Sequence, residues 1–302
     1  MCGIVGLFLK NPALRDRLGS HFATMLAGMG ERGPDSAGIA VYQDVPNGFQ
    51  CRVTLFHPDA GFPWQDVAKG LSGELETEVN VVVKGNHALL DADQDVSTVT
   101  RRLTDISPDI RLVGYGKSIA VFKDKGSADE IVTRFGLADM AGTHAIGHTR
   151  MATESDVTTA HAHPFIADED VCLVHNGSLS NHNRLRGWLA RRGMRFETDN
   201  DTEVAARYFA YRLQQGADLK EAMEAGLHDL DGFFTFAAGT RTGFAVLRDG
   251  FSCKPAVLAE TGDWVAMASE FRSLADLPGV DDARIWEPEP QVVYDWTLGH
   301  SA

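Results

Sequence analysis

The chain begins MCGIVGLFLK, residues 1–10. From Gly3 to Leu9 the stretch is apolar throughout, and this short continuous run predicts a buried β-strand. Two interpretations of Cys2 are open at this stage. It is either an inert apolar residue at the start of that strand or a nucleophile. Removal of Met1 would give Cys2 a free α-amine, which can act as the base for its own thiol.

Composition excludes several classes of partner. The chain has 302 residues and a formal net charge of −14, which argues against a nucleic-acid groove or an anionic membrane surface as the main partner. No apolar run approaches the ~20 residues of a spanning helix, and the N-terminus lacks the basic segment and cleavage site of a secretion signal. The four cysteines are scattered without a CxxC pair, which is typical of a reducing compartment. We therefore expect a cytoplasmic protein.

Hydrophobic periodicity predicts an α+β protein. A helix is predicted where five apolar residues recur at helical spacing: Leu18, Phe22, Met25, Leu26 and Met29. Between residues 44 and 140 short strands alternate with helical segments, which indicates a small inserted α/β segment. After strands near 144–153 and 171–179, two helices are predicted over 180–193 and 201–216, and the last third alternates like antiparallel strands.

Five ordered motifs carry the chemistry. They are MCGIVG (1–6), RGPDSAG (32–38), GHTRMAT (147–153), AHPF with LVHNGSL (162–165 and 173–179), and NDTEV (200–204). In order and character this set resembles the class II glutamine amidotransferase domains, which are N-terminal nucleophile hydrolases. The resemblance implies one such domain over residues 1–302, folded as a four-layer αββα sandwich with the insert at about 44–140.

The resemblance also assigns roles to the motif residues. Cys2 becomes the nucleophile that attacks the γ-amide of glutamine. Asn176 and Gly177 become the oxyanion hole, since an amide side chain and a backbone N–H without a Cβ can donate to the developing negative charge. An Asn-Gly pair is also a common hairpin turn, so that alternative stays open here.

Recognition of the amino-acid end of the substrate is assigned to other residues. Arg150 offers a planar, permanently charged fork for the α-carboxylate, with Thr153 as an added hydroxyl contact. Asp201 is placed at the α-ammonium, and His163 lines the site. A surface salt bridge for Arg150 and a helix N-cap for Asp201 are the alternatives.

Arg32 and Asp35 of the RGPD turn are expected to support the nucleophile without contacting the substrate.

Two positions depart from the family pattern. Met151 stands where many members have tryptophan, and Glu154 stands where histidine is common. Both changes lie near the expected α-end of the substrate. If Met1 were retained, Cys2 would have no free amine.

Histidines are frequent between residues 144 and 182, but no metal site is predicted. His144 and His148 lie four residues apart on a predicted strand, roughly 13 Å, which is too far for one ion. His161 and His163 share a strand face without the cysteine or carboxylate partners typical of zinc sites.

The GHTRMATES form and the insert most resemble the amidotransferase subunit of three-subunit glutamate-synthase-like enzymes, including N-methylglutamate synthase. The resemblance implies glutamine or glutamate as the small molecule and no cofactor in this chain. It also implies larger partner subunits that carry FMN and an iron–sulfur cluster and that use the released nitrogen. Two rivals remain at this stage: a silent regulatory subunit of the same fold with Met1 retained, and an N-terminal nucleophile hydrolase of other amides.

Overall fold

The computed structural model of the chain describes residues 2–152 and 156–299. Its strands, in chain order, are β1 (Gly3–Leu9), β2 (Ser36–Tyr42), β3 (Cys51–Phe56), β4 (Val79–Lys84), β5 (His87–Ala92), β6 (Arg111–Gly116), β7 (Ile119–Lys125), β8 (His144–Arg150), β9 (Phe165–Asp168), β10 (Val171–Leu179), β11 (Gly232–Thr240), β12 (Gly243–Arg248), β13 (Val257–Glu260), β14 (Trp264–Ala268), β15 (Arg284–Trp286) and β16 (Val293–Thr297). Its α-helices are α1 (Leu18–Ala27), α2 (Trp64–Leu75), α3 (Val96–Ile106), α4 (Ala128–Phe135), α5 (His182–Ala190), α6 (Asp201–Gln214) and α7 (Leu219–Asp229).

Two sheets pack face to face. The larger has the order β15-β13-β14-β1-β8-β2-β7, and the smaller has the order β16-β12-β11-β10-β9. Side chains of β1 and β10, including Ile4, Phe8 and Val174, meet in the core between them. Helices α1 and α4 cover the outer face of the larger sheet, and α5, α6 and α7 cover the outer face of the smaller one. The expected αββα sandwich is confirmed.

Strand β1 is the fourth of seven strands and pairs antiparallel with β14 on one side and β8 on the other. Its residues alternate between two cores. Ile4 and Phe8 face the smaller sheet, whereas Val5 and Leu7 face the layer of α1. Because both faces are covered, the run is continuously apolar. Side chains two residues apart in a strand lie on the same face of the sheet. If this alternation is continued back from Ile4, Cys2 lies on the same face, toward the smaller sheet.

The insert is shorter than predicted. Strands β3 to β6 form a separate sheet of order β4-β5-β3-β6, which shares an apolar core with α2 and α3. However, β7 pairs with β2 over its full length, and α4 packs into the core of α1. The predicted end near residue 140 is thus wrong, because residues 119–135 belong to the main layers and the separate sheet ends at Gly116.

Sequence periodicity also missed some helices. After residue 179 it predicted two helices, and the structure adds α7, which begins at a capping box formed by Asp218 and Glu221. Helix α2, within the insert, was not predicted either.

Within residues 2–152 and 156–299, no helix is long and apolar enough to cross a membrane.

Candidate active site

Three separate segments of the chain meet at Cys2. Its carbonyl oxygen accepts hydrogen bonds from Arg32 Nε at 2.9 Å and from Asn176 Nδ2 at 3.2 Å. Its sulfur lies 3.9 Å from the Met151 carbonyl oxygen. The structure therefore brings the first, second, third and fourth sequence motifs together around a partly exposed thiol.

The RGPD turn is built to lie against the end of β8. A Cβ on Gly33 would lie 2.3 Å from the carbonyl carbon of Thr149 and 2.4 Å from the nitrogen of Arg150, so only glycine fits there. Asp35 then donates its backbone N–H to the Arg150 carbonyl at 3.1 Å and accepts the Ala152 N–H at 2.7 Å through its carboxylate. Asp35 thus holds the chain from Arg150 to Ala152 in place at the end of β8.

Arg32 is 8% exposed. In addition to the Cys2 carbonyl it has a second hydrogen-bond partner. Its Nη1 donates to Glu270 Oε1 at 2.5 Å, and this hydrogen bond is the main reason that the pKa of Glu270 is lowered. Glu270 follows β14, the neighbour of β1, and sequence analysis missed it. The pair fixes the guanidinium that binds the Cys2 carbonyl.

Asn176 and Gly177 lie within β10. In this strand Cys172 and Val174 face the larger sheet, and the same period of two brings Asn176 to Cys2. Gly177 has a φ of +149°, and a Cβ there would lie 2.0 Å from the Phe233 carbonyl oxygen. Both residues are paired with β11, so the hairpin-turn alternative is wrong.

Asp201 is the first residue of α6 but does not cap it. The cap is Asn200, whose side chain accepts the Thr202 N–H at 2.8 Å. The Asp201 carboxylate accepts the Leu179 N–H at 2.9 Å and lies 3.8 Å from His175 Nδ1. It therefore joins α6 to the end of the strand that carries Asn176, and the N-cap alternative is wrong.

Arg150 ends β8 and is 5% exposed, which does not fit the alternative of a surface salt bridge. Its Nη1 donates to the Asp156 carbonyl at 3.2 Å. Met151, the next residue, is 48% exposed beside the thiol. Thr153 and Glu154, which sequence analysis also placed near the substrate, lie outside the described residues.

A group of buried histidines lies behind Asn176. The Thr202 hydroxyl is 2.9 Å from both His163 Nε2 and His175 Nδ1, and the His163 ring stacks on His148 at 4.0 Å. Burial lowers the pKa of all three rings, that of His148 to about 3, so they are neutral at pH 7. Of this group sequence analysis selected only His163; Thr202 and His175 each lie next to a selected residue.

The histidines do not assemble into a metal centre. His144 Nε2 lies 2.8 Å from the Thr240 carbonyl oxygen, and His148 Nε2 lies 3.0 Å from that of His175. In the described ranges no group of three or more His, Cys, Asp or Glu side chains is arranged to hold a metal ion.

Comparison with known proteins establishes the family. A family model described as a glutamine amidotransferase domain matches residues 148–276. Over 297 residues the chain is 50% identical to the glutamine amidotransferase-like protein GlxB of Rhizobium meliloti, with 98% of each protein covered. The chain belongs to the glutamine amidotransferase family. This amidotransferase is also 38% identical to the glutamine–fructose-6-phosphate aminotransferase of Chlamydia abortus over 116 residues. That alignment covers 38% of this chain and 19% of its relative.

Solved structures show the same fold. The B. subtilis glutamine phosphoribosylpyrophosphate amidotransferase, solved in complex with ADP and GMP, aligns with a TM-score of 0.60 at 19% identity. The alignment covers 99% of this amidotransferase and 50% of that chain. The αββα layers described above are thus a fold that this chain shares with that amidotransferase.

Proposed function

We propose that this amidotransferase releases ammonia from the γ-amide of glutamine through a thioester on Cys2, once Met1 has been removed. The observation that carries the proposal is the contact between Asn176 Nδ2 and the Cys2 carbonyl oxygen at 3.2 Å. It holds an amide donor from the second sheet beside the residue that carries the thiol. An N-terminal cysteine and an adjacent side-chain amide supply the two groups that acyl transfer requires, a nucleophile and a donor to the oxyanion.

The proposed reaction has two halves. The Cys2 thiol gives its proton to its own α-amine, and the thiolate attacks the γ-carbonyl carbon. The carbonyl oxygen becomes an oxyanion that accepts hydrogen bonds from the second Nδ2 proton of Asn176 and the backbone N–H of Gly177. The C–N bond then breaks, the ammonium returns the proton to the leaving nitrogen, and ammonia departs. Water attacks the thioester, which releases glutamate and regenerates the thiol.

Substrate selection follows from charge. Arg150 is proposed to bind the α-carboxylate through its guanidinium fork, together with Thr153, and Asp201 to bind the α-ammonium. The Asp201 side chain is 23% exposed, which fits a carboxylate that is open to a ligand. His163 lines the site from the buried histidine group, while Arg32 and Asp35 brace the nucleophile and the GHTRMAT loop. A substrate with both charges and a γ-amide fits this set better than a simple amide.

The nitrogen is proposed to pass to larger partner subunits. The motif forms resemble the amidotransferase subunit of glutamate-synthase-like enzymes, and among these we favour N-methylglutamate synthase, with FMN and an iron–sulfur cluster in the partners and a cytoplasmic location. The sheet over residues 51–116 has its own core and contributes none of the proposed site residues. It is therefore the proposed docking surface for those subunits.

The nucleophile is tested by mass spectrometry and labelling. Intact mass should show a chain that begins at Cys2, and a diazo-ketone analogue of glutamine should label that residue. Cys2→Ala should abolish hydrolysis and labelling, whereas Cys253→Ala, a matched change at an exposed cysteine, should leave both unchanged. Full hydrolysis with Met1 attached would refute the mechanism, and a Met1-retaining chain without hydrolysis would support the silent-subunit alternative.

The partners are tested separately. Affinity purification from the native host should recover larger flavin- and iron–sulfur-containing subunits, and a variant with a shortened 51–116 segment should lose them while it still hydrolyses glutamine. A native protein that runs as a monomer with high glutaminase turnover would refute the subunit assignment.

A further inference from the structure

A cavity lies away from the thiol, where the inserted sheet meets the main layers. Its volume is about 500 Å³, within the range of roughly 300–1,000 Å³ typical of small-molecule sites. Residues of α3 and β6 line it on the insert side, and residues of β9 and α6 line it on the other. Cys2, Asn176 and Asp201 do not line it, so it is distinct from the candidate active site.

The walls combine apolar surface with charges of both signs. Phe56, Val113 and Phe165 provide buried apolar surface. The cationic residues of the lining are Arg111, Lys123 and Arg207, and the acidic ones are Asp168, Glu169, Glu197 and Glu203. A purely anionic ligand would meet the carboxylates, and a purely cationic one would meet the guanidinium groups. A fully apolar ligand would desolvate both kinds of charge without compensation.

Two of these charged residues, Glu203 and Arg207, are already partly used within the protein. The Glu203 carboxylate is already used, since it accepts the backbone N–H groups of Glu197 and Thr198 at 2.9 and 2.8 Å. Arg207 lies 3.8 Å from Glu203, and its Nε is buried without a hydrogen-bond partner among the residues that the structure describes, so only its terminal guanidinium nitrogens could reach a ligand. The chemistry that matches this lining is a zwitterion with an apolar body.

The floor of the cavity is connected to the candidate active site. Lys123 is 7% exposed, and its ammonium donates to the carbonyl oxygens of Ala162 at 2.7 Å and Pro164 at 3.0 Å. These two residues flank His163, which contacts Thr202 within the buried histidine group. The same ammonium lies 4.6 Å from the centre of the Phe165 ring in the apolar wall, so a ligand packed on that wall would also restrain the backbone on both sides of His163.

The next residue of β7 makes a second connection, this time to the insert. The Asp124 carboxylate accepts hydrogen bonds from Asn86 in the β4–β5 turn at 2.8 Å and from the Thr159 hydroxyl at 2.6 Å. Thr159 precedes the AHPF segment by three residues and also lines the cavity. The insert, the cavity and the backbone that carries His163 thus share one rigid strand.

We propose that this cavity is an effector site for an α-amino acid with an apolar or aromatic side chain, and that its occupancy increases the affinity of the candidate active site for glutamine. The first half of the proposal does not depend on the proposed function; the second half rests on it. The ligand carboxylate would face Arg111 and Arg207, its ammonium Glu197 and Asp168, and its side chain the apolar wall. By linkage, glutamine must then increase the affinity for the effector by the same factor.

Binding is tested by calorimetry with L-phenylalanine and two probes that each lack one charge, 3-phenylpropionate and 2-phenylethylamine. The amino acid should bind at least about 10-fold more tightly than either, since a hydrogen bond to a charged group contributes about 1.5–3 kcal/mol. Arg111→Gln and Glu197→Gln should each weaken the binding of phenylalanine by about 10-fold or more. Arg101→Gln and Glu224→Gln, matched changes outside the lining, should not.

A steric test keeps the result independent of charge. Thr100→Trp would fill the cavity from α3 and should abolish binding, whereas Thr104→Trp, an exposed position of the same helix, should not. Coupling is tested in the Cys2→Ala background, in which glutamine binds without turnover: phenylalanine should lower the dissociation constant of glutamine. Asn86→Ala, at a position outside the lining, should retain phenylalanine binding but reduce this effect.

The outcomes separate the two proposals. No binding of phenylalanine, or equal binding of all three probes, in an active enzyme would overturn the effector site and leave the proposed function. Binding with an unchanged affinity for glutamine would overturn the coupling. Phenylalanine binding to a protein that neither binds nor hydrolyses glutamine would overturn the proposed function and support the site.

Discussion

Replacement of Asn176 by alanine tests the oxyanion assignment most directly. The Asn176 side chain is 4% exposed and donates to the Cys2 carbonyl at 3.2 Å. Alanine removes the whole amide. The Cys2 carbonyl keeps its other donor, Arg32 Nε at 2.9 Å, so the position of the strand start should survive the change.

The expected loss of activity is much larger than the loss of stability. One intramolecular hydrogen bond contributes about 0.5–1.5 kcal/mol to the free energy of unfolding. Removal of an oxyanion donor costs about 10²–10³-fold in kcat, or roughly 2.7–4 kcal/mol, because the charge appears only in the transition state. A merely structural asparagine would therefore lower stability by about 1 kcal/mol and leave kcat almost unchanged.

The assay is steady-state glutamine hydrolysis together with denaturant unfolding of the same preparations. Asn181→Ala is the matched control, because that side chain donates to the Asp229 carbonyl at 2.8 Å and accepts the Asp231 N–H at 3.1 Å, outside the site. The control should lose about 1–2 kcal/mol of stability at constant kcat. If Asn176→Ala raised only KM, or if the control lost as much kcat, the oxyanion assignment would be refuted.

Three further outcomes are expected. Arg150→Lys keeps the charge but loses the planar fork, so it should raise the KM for glutamine with little change in kcat, whereas Arg195→Lys should change neither. Burial lowers the pKa of His144 to about 3, so below pH ~6.5 the unfolded chain binds a proton that the folded chain does not, and stability falls as the pH falls. His144→Gln should make this pH dependence of the free energy of unfolding shallower by about 1.2 kcal/mol per pH unit between pH 5 and 6. Asp170 is 6% exposed and accepts the N–H groups that follow β6, at 2.8–3.0 Å; Asp170→Ala should lower the urea midpoint by the equivalent of about 3 kcal/mol, and an unchanged midpoint would refute that role.

Much of the fold follows from hydrophobic period alone. Strand β1 and helix α1 appear where the apolar residues predicted them, because a covered strand and an amphipathic helix leave strong signals. The insert boundary does not leave such a signal. Ile119–Lys125 is a short strand much like those of the insert, and only its pairing with β2 shows that it belongs to the larger sheet.

The site was predictable to the extent that a motif contained it. Asn176 and Asp201 were selected by resemblance. Whether Asn176 lies in a strand or a turn, and whether Asp201 caps its helix, is decided by tertiary structure. The Asn-Gly pair lies in a strand because β11 supplies partners for both residues, and Asn200 takes the cap that Asp201 could have taken. Glu270 lies 238 residues from Arg32, and no local pattern connects them.

The place of β1 in its sheet has a consequence for biosynthesis. Its two neighbours come from residues 144–150 and 264–268, so this strand leaves the ribosome well before either partner and is among the last to be fully paired. Contacts this distant in sequence form late, because the intervening chain must first be closed into a loop. Until then an apolar segment stays exposed and is a natural client for a chaperone. A chain interrupted before residue 264 would leave one side of that strand open, so a truncated product should not assemble a working thiol site.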